Sequence, residues 1–163
     1  MRFRGGSTIK KHYSDPDVAE FLRGTGRYLI KIHGSLDRPE NLIFTQREYA
    51  QARVKNNTFY KALDSALMAY TFLFVGTGIH DPDMNLLLEN QNFSYTRNYP
   101  HYLLSATGEL HTQLKQSLRN NRNLEVIEYE KLDDSYSGLG NSLQDLLNEV
   151  ELARQLLIEN GQW

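Results

Sequence analysis

Apolar positions along the chain switch between strand-like and helix-like spacing, and that switching lays out the fold. Residues 1–27 show no clear strand pattern. Within them Asp15-Pro16-Asp17 reads as a cap leading into a short helix through Val18, Phe21 and Leu22. Tyr28–Ile32 is a β-prone run that ends in His33-Gly34-Ser35, predicting a strand that feeds a loop. Thr45 is placed to cap a helix carrying Tyr49 and Ala52, with Glu48 as its capping-box partner. Phe59, Leu63, Ala66, Leu67 and Tyr70 recur at helical spacing and predict a second helix ending near Tyr70. Thr71–Val75 is continuously apolar, the pattern of a buried parallel strand. Gly76-Thr77-Gly78 breaks that run. Asp81-Pro82-Asp83 then opens a helix whose apolar face is Met84, Leu87 and Leu88.

The alternation repeats downstream. His101–Ser105 predicts a strand and Thr107-Gly108 a turn. Leu110, Leu114 and Leu118 mark a helix, and Leu124–Tyr129 a partly alternating strand at a sheet edge. Asp133 to Gly140 is expected to be a loop. Asn141 is expected to cap a last helix through Leu143, Leu146, Leu147, Val150, Ala153 and Leu157. Strands alternating with helices predict an α/β fold with a Rossmann-like parallel sheet and helices on both faces. About four strands are legible, fewer than the roughly six of a complete doubly wound dinucleotide fold.

Composition narrows the chemistry. A length of 163 residues fits one domain, divided into a lead-in over 1–27, an α/β core over 28–137 and a C-terminal helix over 138–163. The absence of cysteine excludes thiol nucleophiles and thiolate zinc sites. A formal net charge of -2 gives no electrostatic footprint for direct nucleic-acid binding. No apolar run approaches the roughly 20 residues of a membrane span. The N-terminus carries no apolar signal core, so a cytoplasmic setting is expected.

Ligands of open parallel sheets sit beyond the carboxyl ends of the strands. Two loops there are informative. His33 directly follows a strand, where a neutral imidazole can take a proton near pH 7. Gly34 would let a ligand approach the backbone. The same pair also fits a surface-loop histidine with a turn glycine. In Gly76-Thr77-Gly78 two glycines let backbone amides face a phosphate, and Thr77 adds a hydroxyl. Asp81 and Asp83 would repel an anion from the following helix axis, so contact through the loop is favoured. A tight strand-to-helix turn with an Asp cap fits the same residues. His12, His101 and His111 have no companions at metal-ligand spacing.

In order, Tyr28–Ser35, Leu42–Thr45 with Tyr49, Phe72–Gly78 and Asp81-Pro82-Asp83 resemble the sirtuin-like domain family. The similarity is to its bacterial branch, which includes NAD-consuming antiviral defence proteins. The match runs from about Tyr28 to Leu88 and more loosely to Tyr129. The resemblance implies NAD as ligand or substrate, with His33 as catalytic base at the nicotinamide ribose. It implies cofactor contacts from Gly34, Ser35, Gly76, Thr77 and Gly78, and from Ser105 at the adenosine end. Gly78 stands where the family usually has serine. The cysteine zinc module of the deacylases is absent, so no metal is expected and NAD hydrolysis is favoured over deacylation. The family's glycine-rich first phosphate loop and its Thr-Gln-Asn motif are also absent, so the chain resembles the C-terminal half of the domain. Two readings follow. One is part of an NAD hydrolase; the other is an inactive module that binds NAD or ADP-ribose or mediates assembly. In the second reading a further copy or a partner chain would complete the sheet, whose edge is otherwise unprotected.

Overall fold

The computed structural model describes residues 7–24, 26–77, 81–95 and 98–161. Its contacts divide the chain into two compact units, Met1–Tyr70 with Asp81–Ser94, and Thr71–His80 with Tyr95–Trp163. Both are α/β, and every strand pair within them is parallel.

The first unit contains β1 (Thr8–His12) and β2 (Arg27–Lys31), paired from Thr8 opposite Arg27 to His12 opposite Lys31. β1 lies where no strand is legible in the sequence, which raises the strand count to five among the described residues. Its only aliphatic residue is Ile9 and its centre is Lys10-Lys11, so it carries no apolar run. Polar contacts around it replace that signal: Lys10 bonds Asp37 at 2.6 Å, Lys11 bonds Asp17, and the His12 amide donates to Asp15 at 2.7 Å. The connection to β2 contains the short helix expected after Asp17, a 3-10 turn over Val18–Arg23.

Two helices follow, α1 (Gln46–Lys55) and α2 (Asn57–Ala69). Thr45 caps α1 in a complete capping box. Its hydroxyl accepts from the Glu48 amide at 3.3 Å, and Glu48 accepts from the Thr45 amide at 2.9 Å. α2 buries Phe59, Leu63, Ala66 and Leu67, the stripe its spacing predicts. Tyr70 lies just past the helix and is exposed, with its hydroxyl donating to the Leu22 carbonyl at 3.3 Å. α3 (Pro82–Ser94) buries Leu88 and packs along α2, where Gln91 donates to the Asp64 carbonyl at 2.6 Å.

The second unit is built on a three-stranded sheet in the order β3 (Leu73–Phe74), β4 (His101–Ala106), β5 (Leu124–Tyr129). β4 is central and the most buried, while β5 pairs on one side only, burying Leu124 and Tyr129 at its ends and exposing Ile127 and Glu128 between them. β3 departs from expectation. Only two residues of Thr71–Val75 pair, and both Leu73 and Val75 are 40 % exposed, because this strand is the other edge of its sheet. The Phe72 amide donates to His101 Nδ1 at 3.2 Å, tying the start of the β3 segment to β4. Between β4 and β5 runs α4 (Thr112–Arg122), the crossover that parallel pairing requires. Leu118 fills the core from α4 and is fully buried.

The last helix, α5, spans Ser137–Glu159 and begins four residues before Asn141. The last four residues of the span Asp133 to Gly140, expected as a loop, belong to this helix. Gly138 permits close packing, since a Cβ there would overlap the Glu130 carbonyl. Asp133 holds the first residue of the helix, accepting from Ser137 through its amide at 3.0 Å and its hydroxyl at 2.6 Å. Those bonds, with one from Ser135, hold the Asp133 carboxyl down at about 2.

Leu118→Ala is expected to cost about 3 kcal/mol and Thr45→Ala about 1 kcal/mol of stability, because one opens a cavity and the other removes a helix cap. Urea titrations of both variants against the parent chain check the magnitudes and their order.

Candidate functional site

His33 sits two residues beyond the end of β2, in a loop that the chain holds tightly. The His33 carbonyl accepts from the Ile43 amide at 3.1 Å, and the Ser35 carbonyl from the Arg38 amide at 2.9 Å. Gly34 adopts φ +85, and a Cβ on it would overlap the Asn41 carbonyl. The missing side chain therefore makes room for the chain's own backbone. The Ser35 hydroxyl is bonded to Asp37, which also holds Lys10.

The His33 imidazole lies edge-on to Tyr49 from α1, with ring centroids 5.2 Å apart. Its Nε2 is 3.0 Å from Oδ2 of Asp81, the residue before α3. The other oxygen, Oδ1, accepts from the Asp83 amide at 2.9 Å and the Met84 amide at 3.1 Å, as a helix cap does. Burial would raise the Asp81 carboxyl. The His33 hydrogen bond and the two amides overcome it and keep the group below its ordinary value. About one third of the His33 side chain remains exposed, so the imidazole is oriented and also accessible.

Behind this pair lies a buried polar cluster. Asp83 is 3 % exposed, bonds Arg53 and accepts from the Tyr60 hydroxyl at 2.8 Å. Burial, reinforced by that hydrogen bond, pushes the Tyr60 phenol well above its ordinary value. The cluster ties α1, α2 and the first turn of α3 together directly below Asp81. Arg53 and Tyr60 are not singled out by the sequence pattern, and Asp81 and Asp83 read there as capping residues alone. A usable signal for Asp81 exists: a carboxylate at a helix start shortly after a second strand-end loop.

Gly76, Thr77 and Ser105 belong to the other unit. Gly76 follows β3 with φ +61, and nothing lies within 4 Å of where a Cβ would sit, so its α-carbon faces open space. Thr77 is exposed beside it. Ser105 is 8 % exposed in β4, with its hydroxyl 3.5 Å from the Ala106 carbonyl. Gly78 lies outside the described residues. Among the described residues no three His, Asp or Glu side chains gather as a metal site, and no helix is long and apolar enough to cross a membrane.

The family profile described as SIR2-like domain matches residues 5–127. The chain is 32% identical over 77 residues to the NAD(+) hydrolase ThsA of Bacillus cereus (strain MSX-D12), which covers 47% of this chain and 16% of that protein. It is 25% identical over 100 residues to the NAD(+) hydrolase ThsA of Acinetobacter baumannii (strain 532279), covering 61% of this chain and 21% of the relative. A third similarity, 33% over 60 residues, is to the NAD(+) hydrolase ThsA of Cytobacillus dafuensis, covering 37% of this chain and 12% of that protein. The matched regions thus span at most 21% of these relatives' lengths.

The stabilising contribution of ionised Asp81 is expected to be complete above its unfolded pKa, near 3.8, and to disappear as pH falls through the lower folded value. Urea midpoints of the parent chain and Asp81→Asn should therefore differ most at neutral pH and converge below pH 4. A gap independent of pH would mean that the charge of Asp81 contributes nothing.

Proposed function

The chain belongs to the SIR2-like domain family, and from that premise we propose that it is the histidine-bearing part of an NAD-binding, NAD-hydrolysing site. The observation that carries this reading is the His33–Asp81 pair, 3.0 Å long, at the carboxyl end of β2. It is a base oriented by a carboxylate where ligands of parallel sheets bind.

An imidazole that donates Nε2–H to Asp81 keeps its basic lone pair on Nδ1. In the proposed reaction the glycosidic bond from the ribose to nicotinamide breaks, and its electron pair leaves with nicotinamide. Water adds to the cationic sugar carbon, giving ADP-ribose, and its proton passes to His33 and then to solvent. Asp81 stabilises the imidazolium formed on the way. Beside His33, Gly34 and Ser35 are proposed contacts to NAD, and within the other unit Gly76, Thr77, Gly78 and Ser105 are proposed nucleotide contacts. The open space before Gly76 supports backbone approach to a phosphate at that turn. No metal enters the scheme. A cytoplasmic setting and a role in antiviral defence belong to the same proposal, NAD depletion being the means.

With purified protein and NAD, His33→Ala should lower nicotinamide release at least 100-fold while the calorimetric NAD affinity changes less than about threefold, the scale of general-base catalysis. Asp81→Asn should lose about tenfold, with the remaining loss in kcat rather than KM. Unchanged turnover by His33→Ala would remove His33 from the chemistry. A parent chain that binds NAD or ADP-ribose but releases no nicotinamide would instead be a binding module.

A further inference from the structure

Among the described residues α5 packs near its start, where Gly138 lies against Glu130 and Leu132. Ser142 and Leu143 are partly buried, and every residue from 144 to 161 is exposed. That exposed length is not polar. Leu139, Leu143, Leu146, Val150, Ala153 and Leu157 recur at alternating spacings of four and three. They occupy the d and a positions of three successive heptads, the seam of a coiled coil. Leu146, Val150 and Leu157 are 44 %, 37 % and 41 % exposed, so the seam lacks a partner among the described residues.

The charges beside the seam select the partner and its direction. Glu149 falls at g and Arg154 at the following e position. In a parallel pair of identical helices a g residue faces the e residue five positions further along the other helix. Glu149 then meets Arg154 of the second copy, and symmetry makes the contact twice. An antiparallel pair centred on the same stripe sets Glu149 against Glu149. Leu147, at e, widens the seam on the same side. We propose that α5 pairs with α5 of a second copy as a parallel, in-register, two-stranded coiled coil. This inference is independent of the NAD reading.

Sedimentation equilibrium of the purified chain should give a dimer, and Val150→Glu should give a monomer with unchanged helical circular dichroism. Glu149→Arg or Arg154→Glu alone should raise the dimer dissociation constant about tenfold, since two attractive pairs become repulsive, and the double exchange should restore it. The chain has no cysteine, so Leu157→Cys places one thiol per copy at an a position. Mild oxidation should cross-link it in the parallel dimer, where the two thiols face each other. A monomeric parent chain, a dimer that survives Val150→Glu, or a charge exchange without restoration would overturn the proposal. So would a dimer in which Leu157→Cys does not cross-link by itself but does cross-link with Leu139→Cys, because that pairing is antiparallel.

Discussion

The Asp81 carboxylate divides its two oxygens between two elements, and the candidate site depends on that division. One oxygen takes the first free amides of α3, which fixes the plane of the carboxylate. The other then has one direction left, and His33 lies along it. A histidine at the end of β2 is thereby aligned by the start of a helix 48 residues further along the chain. Tyr49 closes the other side of the imidazole. Below, Asp83 would be a costly isolated charge, and Arg53 and Tyr60 offset its burial with bonds from α1 and α2. The helix start is thus held from beneath as well as capped, which restricts the motion of the carboxylate that orients His33.

Much of the element order was legible because it follows from periodicity. The α1 capping box, the apolar stripe of α2 and the bounds of β5 all appear in local sequence. Features set by partners were harder to read. β1 is recognisable as a strand only through its pairing with β2 and through ion pairs that reach from Asp17 to Asp37, none of which an apolar pattern shows. β3 looked like a buried parallel strand because Thr71–Val75 is continuously apolar, yet apolarity does not reveal how many neighbours a strand has. The start of α5 was placed four residues late, because Asp133 to Gly140 reads as a loop and the contact of Gly138 with Glu130 is not visible in local sequence.

The same distinction applies to the site. His33 stood out because a histidine after a strand is a position effect. Asp81 was visible only in its capping role, since the geometry that joins it to His33 comes from the packing of α1, α2 and α3. Gly34 was noticed for a ligand's sake, whereas its φ and its contact with Asn41 show a requirement of the loop itself. That requirement sets the path of the backbone on which His33 is carried. A glycine and a carboxylate thus control the histidine from its two ends, main chain and side chain.

One bond in the second unit links that strand pair to the proton concentration around it. The Phe72 amide is accepted by Nδ1 of His101, so this imidazole must be neutral, with its proton on Nε2. Burial favours that state and lowers the pKa of the group. Protonation would turn the acceptor into a donor and set two N–H groups against each other where the β3 segment joins β4. Acid thus acts on a short edge strand with only two paired residues, the strand that leads directly into the Gly76 turn. The contact that joins the β3 segment to β4 therefore depends on a neutral imidazole, the state that the burial of His101 favours.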